Sequence, residues 1–258
     1  MFSGCNKDPY AVGTEGLVYQ KIGDKEEYKV TKFEKRHDAI NVVIPRKYQG
    51  LPVTTIGRNA FVTTYVTGVD IPDSVTTLET WAFYGAAYIE SLKIPDSVTN
   101  IGSGAFEECR ALKKIKLPKD LTYIDSSLFS YCDKLTNVEI PKNVTTIGSS
   151  AFYNTAITSI VIPDKVTAIG EKAFYTCNNF ASVVIGSSVT SIGAWAFRNC
   201  ASQFTVYYNG TLDAWNEISI GELNDSLNSA TIYYYSEIQP TDVGKYWHYV
   251  KGKPTPWN

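Results

Sequence analysis

Residues 94–109 read IPDSVTNIGSGAFEEC, and variants of this phrase recur along most of the chain. Each copy carries a phenylalanine near its end, at intervals of 22 or 23 residues: Phe61, Phe83, Phe106, Phe129, Phe152, Phe174 and Phe197. A fixed period in this range is the signature of a solenoid, in which a unit stacks on its neighbours because it cannot bury its apolar face alone. The period therefore predicts one elongated repeat structure.

One copy of the phrase illustrates the fold expected of each unit. Residues 112–117 (LKKIKL) fit a short strand with inward apolar side chains, and Pro118 ends it because proline has no N–H to give to a ladder. Residues 121–124 form a second short extended piece. Phe129 and Cys132 follow at i, i+3 spacing, which predicts a helical turn.

A glycine recurs directly after the second extended piece. It is found at Gly57, Gly102, Gly148 and Gly193. Glycine adopts positive φ without a steric cost, so this column predicts a tight left-handed corner before the helical turn.

The apolar strand frame predicts the length of the stack. We count nine strand rungs, from the one that ends at Ile44 to the one containing Ala230, Ile232 and Tyr234. Neighbouring rungs lie about 4.8 Å apart, so the stack should be roughly 38 Å long.

The two ends of the chain depart from the repeat and predict caps. We expect a leader or tether over residues 1–16 and the solenoid over residues 17–203, which begins with a β-hairpin cap at 17–38. Residues 204–258 should hold degenerate rungs and an aromatic C-terminal cap. Terminal units of solenoids must cover the exposed ends of the core, which is why the repeat decays there.

The consensus I-P-x-x-V-T-x-I-G-x-x-A-F-x-x-C resembles the BspA-type leucine-rich repeat of bacterial surface proteins, most specifically over residues 40–200. It departs from the commoner leucine-rich repeat, because the asparagine column of that repeat is missing. The resemblance implies an α/β-type repeat solenoid of about 23 residues per unit, with short β-rungs and helical turns.

The same resemblance implies a function. Similar proteins are non-enzymatic, extracellular modules of the bacterial cell surface that bind proteins or mediate adhesion. The partner expected from this likeness is a host or matrix protein, or a glycan, and no cofactor is implied. A structural scaffold that displays other elements is a further alternative.

Composition gives no support to several other classes. The net charge of −2, with no lysine- or arginine-rich run, gives no reason to expect a nucleic-acid partner. No apolar stretch approaches the ~20 residues of a membrane-spanning helix. His37 and His248 are the two histidines, and neither lies in a catalytic or metal-binding motif.

Four cysteines form one column, each three residues after a repeat phenylalanine: Cys109, Cys132, Cys177 and Cys200. One interpretation is a row of small buried thiols. The other is a pair of disulfides, Cys109–Cys132 and Cys177–Cys200, because rungs about 4.8 Å apart fall within disulfide reach. Zinc is disfavoured, since both histidines lie far from this column in sequence.

Cys5 lies outside that column and ends residues 2–5 (FSGC). Small residues before a cysteine resemble the end of a bacterial lipoprotein signal, which makes Cys5 a lipidation candidate. The apolar segment of such a signal is missing, so this interpretation implies a truncated chain. A repeat remnant is the alternative, because residues 129–132 (FSYC) have the same spacing.

Outward-pointing strand positions form the first candidate binding surface. The strip contains Asp70, Lys93, Lys114, Lys116, Glu139, Val161 and Val184. It is basic in the middle and apolar at its two valines. Solenoid sheets often bind partners through such columns, although an ordinary solvated face has the same pattern.

Aromatic residues beside the repeat phenylalanine form the second candidate. The patch contains Trp81, Tyr84, Tyr153, Tyr175 and Trp195. Exposed rings bind sugars or anchor a protein partner, because they offer a large contact area at a small entropy cost. Alternatively, the rings stack on one another and hold neighbouring units together.

Overall fold

A computed structural model describes residues 8–35, 37–241 and 244–257. The first half contains β1 (Leu17–Lys21), β2 (Tyr28–Phe33), β3 (Asn41–Val43), β4 (Lys47–Tyr48), β5 (Leu51–Ile56), β6 (Gly68–Asp70), β7 (Thr77–Leu78), β8 (Ser91–Lys93), β9 (Asn100–Ile101), β10 (Lys114–Lys116) and β11 (Tyr123–Ile124). The second half contains β12 (Thr146–Ile147), β13 (Ser159–Ile162), β14 (Ala168–Ile169), β15 (Ser182–Ile185), β16 (Ser191–Ile192), β17 (Thr205–Tyr208), α1 (Leu212–Asn216), β18 (Ser219–Ile220), α2 (Asp225–Asn228), β19 (Thr231–Tyr235), β20 (Tyr246–Val250) and β21 (Lys253–Pro256).

The strands form a solenoid with two parallel ladders. The first ladder runs through β3–β6, β8–β10 and β13–β15–β17–β19–β20. The second runs through β2–β5–β7–β9 and β11–β12–β14–β16–β18. Inward valine, isoleucine and leucine side chains from both ladders meet in one core that extends along the whole stack.

The nine predicted rungs of the first ladder are not all strands. Eight of them are present, whereas residues 137–140 have no strand assignment, so the ladder is interrupted there. The second ladder is interrupted between β9 and β11. A repeat pattern in the sequence shows which side chains are buried, not whether neighbouring strands form every backbone hydrogen bond. The inward side chains of these coils are buried even where the ladder is interrupted.

The helical turns predicted around the repeat phenylalanines are wrong. Ser127 and Tyr131 have left-handed φ values of 54° and 57°. Positive φ recurs at the second residue before and the second residue after every repeat phenylalanine. The Phe129 N–H donates to the Ala151 carbonyl of the next coil at 2.8 Å, while the Ser130 N–H bonds back within its own coil at 3.1 Å. An α-helix would direct every N–H along its own axis. The alternating turn instead builds a third ladder between coils, which we call the turn ladder.

The phenylalanines stack along this turn side. Consecutive rings from Phe61 to Phe197 have centroids 5.0–5.8 Å apart, and Phe33 of β2 extends the stack at 5.9 Å from Phe61. The Phe33 N–H also donates to the Ala60 carbonyl at 2.8 Å. The antiparallel hairpin β1–β2 thus packs on the first coil as an additional layer. Phe33 could not be recognised from the repeat, because it lies 28 residues before Phe61 instead of 22 or 23.

The recurring glycines have a different cause from the one predicted. Gly57, Gly102, Gly148 and Gly193 are not among the residues with positive φ. A Cβ at Gly148 would lie 2.6 Å from the Ser126 backbone nitrogen of the preceding coil, and the other three positions are similarly close to backbone. The column is therefore glycine because two coils approach closely, not because the chain turns with a left-handed corner.

We expect Gly148→Ala to lower the free energy of unfolding by about 1–3 kcal/mol, because the new methyl group meets backbone that cannot move aside alone. Chemical denaturation of both proteins measures the difference. The control is Ser149→Ala at the exposed neighbouring residue, which should change stability by less than about 0.5 kcal/mol. Equal effects of the two substitutions would contradict the close-approach explanation.

Candidate docking surface

Six of the seven predicted strip residues lie exposed on the outward side of the first ladder, which we call the strand face. They are Asp70, Lys93, Lys114, Lys116, Glu139 and Val161. Alternation places five of them there, because each flanks an inward residue of the core in the same short strand. Glu139 keeps the same alternation between buried Val138 and Ile140, although its coil has no strand assignment. The parallel register then aligns successive coils into columns.

The three lysines form a cluster of unpaired positive charge. Lys116 is the direct register partner of Lys93 on the neighbouring strand, and Lys114 is the partner of Ser91. Among the described residues, none of the three lysines forms an ion pair, whereas nearby Lys113 pairs with Glu90 at 2.8 Å. Like charges directly opposite one another destabilise a sheet. This arrangement has no evident structural benefit and presents a basic surface to an acidic group.

Three depressions follow one another along the strand face. The first, of about 630 Å³, includes Asp70 and Lys93 in its lining. The second, of about 740 Å³, includes Lys114, Lys116 and Glu139. The third, of about 730 Å³, includes Glu139, Val161, Val184 and Pro254. The face is a shallow interrupted groove, which suits an extended ligand better than a compact one.

The prediction that Val184 belongs to the exposed strip is wrong. Its relative exposure is only 4%, and Pro254 of β21 lies beside it in the third depression. The hairpin β20–β21 folds back over this end of the strand face, with a two-residue turn at Lys251 and Gly252 whose φ values are 51° and 76°. The outward position is apolar at Val184 because another part of the chain covers it.

Trp247 fastens the hairpin to the solenoid. It has no exposed surface, and its ring meets Tyr207 and Tyr235 edge-on at 5.5 and 5.3 Å between centroids. Its Nε1–H donates to the Tyr208 carbonyl at 2.9 Å. The sequence showed an aromatic cap, but not which surface the cap covers.

The predicted aromatic patch is divided into two groups. Trp81 lies under the Arg58 guanidinium at 4.6 Å, and the nearby Tyr84 hydroxyl donates to Glu108 Oε1 at 2.9 Å. That hydrogen bond is the main reason why the pKa of Tyr84 is raised. The structure does not bring this pair into contact with Tyr153, Tyr175 and Trp195.

The second aromatic group is a stack along the turn side. Tyr153 and Tyr175 stack at 5.3 Å with 17° between their planes, and Trp195 follows at 6.3 Å from Tyr175. Lys172 Nζ lies 4.2 Å from the Trp195 ring. The two tyrosines cover each other's ring faces, which are the surfaces that a sugar would use.

The cysteine column consists of free thiols in this structure. Cys109 Sγ donates to the Phe83 carbonyl at 3.2 Å, and burial raises the pKa of this thiol to about 12. At the equivalent position of another coil, Thr155 donates its hydroxyl to the Phe152 carbonyl at 3.1 Å. This column therefore accepts any small side chain that can donate one hydrogen bond to the carbonyl of a repeat phenylalanine. Cys5 lies outside the described residues.

Residues 8–35, 37–241 and 244–257 contain no cluster of three or more His, Cys, Asp or Glu side chains suited to a metal ion. Across the same ranges, no helix has the length and apolar character needed to cross a membrane.

Fold and surface together define a leucine-rich-repeat solenoid with an open strand face. Six copies of the BspA type leucine rich repeat region match this chain, over residues 54–180 and 145–236. These ranges span more than half of the sequence, so the chain belongs to this family of repeat scaffolds, and the resemblance is confirmed. No curated protein matches the chain.

Two solved structures have a similar fold. A leucine rich repeat protein from T. pallidum is 23% identical with a TM-score of 0.55, and the match covers 85% of this chain and 84% of that one. A leucine rich cell surface protein from Faecalibacterium prausnitzii A2-165 is 24% identical with a TM-score of 0.55, covering 83% of this chain and 73% of that one. At these identities the likeness establishes the fold alone.

Proposed function

We propose that this protein is a non-enzymatic binding module of the bacterial cell surface, and that its strand face docks a partner protein. The lysine cluster is the observation that carries the proposal. Lys93 and Lys116 face each other in register, and among the described residues neither ammonium group is within ion-pair distance of a carboxylate, although Asp70 and Glu139 lie on either side of the pair along the solenoid. A surface kept at a cost to the sheet is better explained by binding than by folding.

Membership of this repeat family also favours a binding function, since repeat scaffolds offer long surfaces rather than enclosed sites. The F. prausnitzii relative is described as a cell surface protein, which favours an extracellular location for this chain. Adhesion to a host or matrix protein is the form of binding that we propose for this module.

The triple variant Lys93→Gln, Lys114→Gln, Lys116→Gln should lose saturable binding to an acidic matrix protein by tenfold or more. Exposed charges act through a screened potential, so wild-type binding should weaken as salt is raised. Surface plasmon resonance against a panel of matrix proteins, at physiological and high salt, measures both effects.

A matched control removes the same charge elsewhere. Lys21, Lys25 and Lys134 are exposed and lie outside the strand face, so their triple glutamine variant should bind like the wild type. The strand-face variant should also be at least as stable as the wild type, because it relieves repulsion. Equal binding by both variants would contradict the proposal.

Two alternatives have separate tests. Carbohydrate binding through the aromatic patch requires Tyr153 and Tyr175, so alanine substitution of both should abolish glycan binding on an array. A display scaffold predicts no saturable binding to any member of either panel. The stacked geometry of the two tyrosines favours a role in joining coils over sugar binding.

Attachment to the envelope through a lipid on Cys5 belongs to the same proposal. It requires that the gene encode a basic start and an apolar segment before this cysteine. Metabolic labelling with a fatty acid, in the native host and with Cys5→Ser as the control, tests it directly.

A further inference from the structure

An apolar column runs along the C-terminal half of the strand face. Its members are register partners on successive strands: Val161, Val184, Tyr207 and Tyr233. The hairpin β20–β21 lies beside Val184 through Pro254 and against Tyr207 through Trp247. Val161 is the exposed member of the column, with a relative exposure of 51%.

Val161 therefore lies in a notch beside the hairpin. The third depression of the strand face, about 730 Å³, has Val161 and Val184 in its lining, with Pro254 on the hairpin side and Asp164 at the adjoining corner. We call this space the hairpin notch. Its volume is sufficient for one aliphatic side chain, and the apolar surface of Val161, Val184 and Pro254 would gain from the removal of water. The charged side chains of Glu139, Lys142 and Lys165 also belong to the lining.

The hairpin notch stands at a defined distance from the lysine cluster. Glu139 occupies the coil between Lys116 and Val161, so these two residues are separated by two coil steps, or about 10 Å. An extended chain rises about 3.3 Å per residue, so three residues of a ligand span this distance. Lys93 lies one coil further and corresponds to a fourth residue.

We propose that the strand face binds an extended acidic segment of a partner protein in a fixed register. One apolar side chain of the segment enters the hairpin notch, and the side chain four residues away, which points to the same side of an extended chain, is acidic and lies over the lysine cluster at Lys116 and Lys93. This inference rests on the proposed function and specifies the chemistry of the partner.

The sequence of charges along the strand face favours such a peptide over a polyanion with evenly spaced negative charges. Asp70 and Glu139 flank the lysine cluster on its two sides along the solenoid. A sulfated glycan that continued past the lysines would meet both carboxylates, whereas a peptide can restrict its negative charge to two positions. A second copy of this chain is disfavoured, because two basic clusters would face each other across a symmetric contact.

The test uses a fluorescent, end-blocked peptide in which two neutral residues separate one leucine from two consecutive glutamates, prepared in both chain directions. Fluorescence anisotropy with the full chain measures its affinity. Replacing the leucine by serine should weaken binding by about tenfold or more, since burial of a leucine side chain is lost. Moving the leucine next to the glutamates, with composition unchanged, should have the same effect, because the peptide no longer spans both places.

The protein side of the test is Val161→Ser. It should weaken binding of the leucine peptide to a similar extent and leave the serine peptide unaffected, so the two changes are not additive. Val161 is half exposed, so the variant should fold normally. Ile238→Ser, at an aliphatic residue that is 80% exposed elsewhere, is the matched control and should change nothing.

Each remaining outcome has a meaning. Peptide binding that depends on the lysines but not on leucine or Val161 would overturn this inference and leave the proposed function intact. Binding of a sulfated oligosaccharide as tightly as the leucine peptide, or self-association lost in Val161→Ser, would also overturn it. Absence of any lysine-dependent binding, to peptides or to the matrix panel, would overturn the proposed function as well.

Discussion

Phe129→Ala should lower the free energy of unfolding by about 3–5 kcal/mol, the cost of emptying a fully buried aromatic site. Phe129 has no exposed surface, and its ring is stacked between Phe106 at 5.8 Å and Phe152 at 5.4 Å. Both contacts are lost at once, and the cavity lies in the middle of the stack, where neighbouring coils cannot close it independently.

The coil of Phe129 also has fewer backbone links than a complete coil. Strand β11 in this coil is not paired with β9 of the preceding coil, and β10 has no strand partner at residues 137–140 of the following one. The turn ladder is continuous through both boundaries, with the Phe106 N–H donating to Leu128 at 3.1 Å and the Phe129 N–H donating to Ala151 at 2.8 Å. Loss of the ring should loosen this ladder, so we expect unfolding to separate into two transitions.

Denaturant unfolding followed by far-UV circular dichroism measures the loss, and hydrogen exchange shows whether the two halves separate. Tyr88→Ala is the control, because this ring is 49% exposed and its removal should cost less than about 1 kcal/mol. A single cooperative transition with a loss similar to that of the control would contradict the role given to the phenylalanine stack.

The solenoid itself was predictable because its period records burial. Every repeat phenylalanine and every inward strand residue must avoid water, and this requirement is visible in one unit after another. The turn geometry was not predictable in the same way. Phe129 and Cys132 have helical spacing, but the N–H groups of Phe129 and Tyr131 donate to carbonyls of a coil 22 residues away, which no local pattern reveals.

The same distinction explains the glycine column. Gly148 is required by the Ser126 backbone of another coil, a contact between chain segments rather than a property of its own φ. The sequence alone suggested a positive φ at this residue, because that is the commonest reason for a recurring glycine. Asp125, in the equivalent position one coil earlier, lies where the second ladder is interrupted.

The strand face was predicted from alternation, and alternation placed six of its seven residues correctly outside. Val184 was misassigned because its cover, Pro254, arrives from 70 residues away. A signal was nevertheless present. The outward column continues as Tyr207 and Tyr233, and several apolar residues in succession on a solvent face indicate that something covers them.

Trp247→Ala should release the hairpin β20–β21 at a cost of about 3–5 kcal/mol to its docking. The substitution removes a ring that is fully buried against Tyr207 and Tyr235, together with the Nε1–H donor to the Tyr208 carbonyl. Because the hairpin stands at the end of the solenoid, the loss should appear as local opening rather than as unfolding of the whole stack. Hydrogen exchange of residues 246–256 measures this opening.

Trp247→Phe distinguishes the contribution of the buried aromatic ring from that of the Nε1–H hydrogen bond to the Tyr208 carbonyl. It keeps an aromatic side chain in the site but leaves the Tyr208 carbonyl without its partner, which should cost about 1–3 kcal/mol. Its hairpin should therefore remain more protected than that of Trp247→Ala. Exchange rates identical to wild type in the alanine variant would show that Trp247 does not fasten the hairpin.

The alanine variant also links the cap to binding. Without a docked hairpin, Pro254 no longer borders the hairpin notch and Val184 becomes exposed, so the notch loses its shape while the lysine cluster is unchanged. We therefore expect Trp247→Ala to remove the tenfold preference for the leucine peptide over the serine peptide, but to keep the salt-dependent affinity that both share. Retention of the preference would mean that Val161 alone, and not the cap, selects the apolar side chain. In that case the C-terminal hairpin would only cover the end of the core, as the terminal element of any solenoid must.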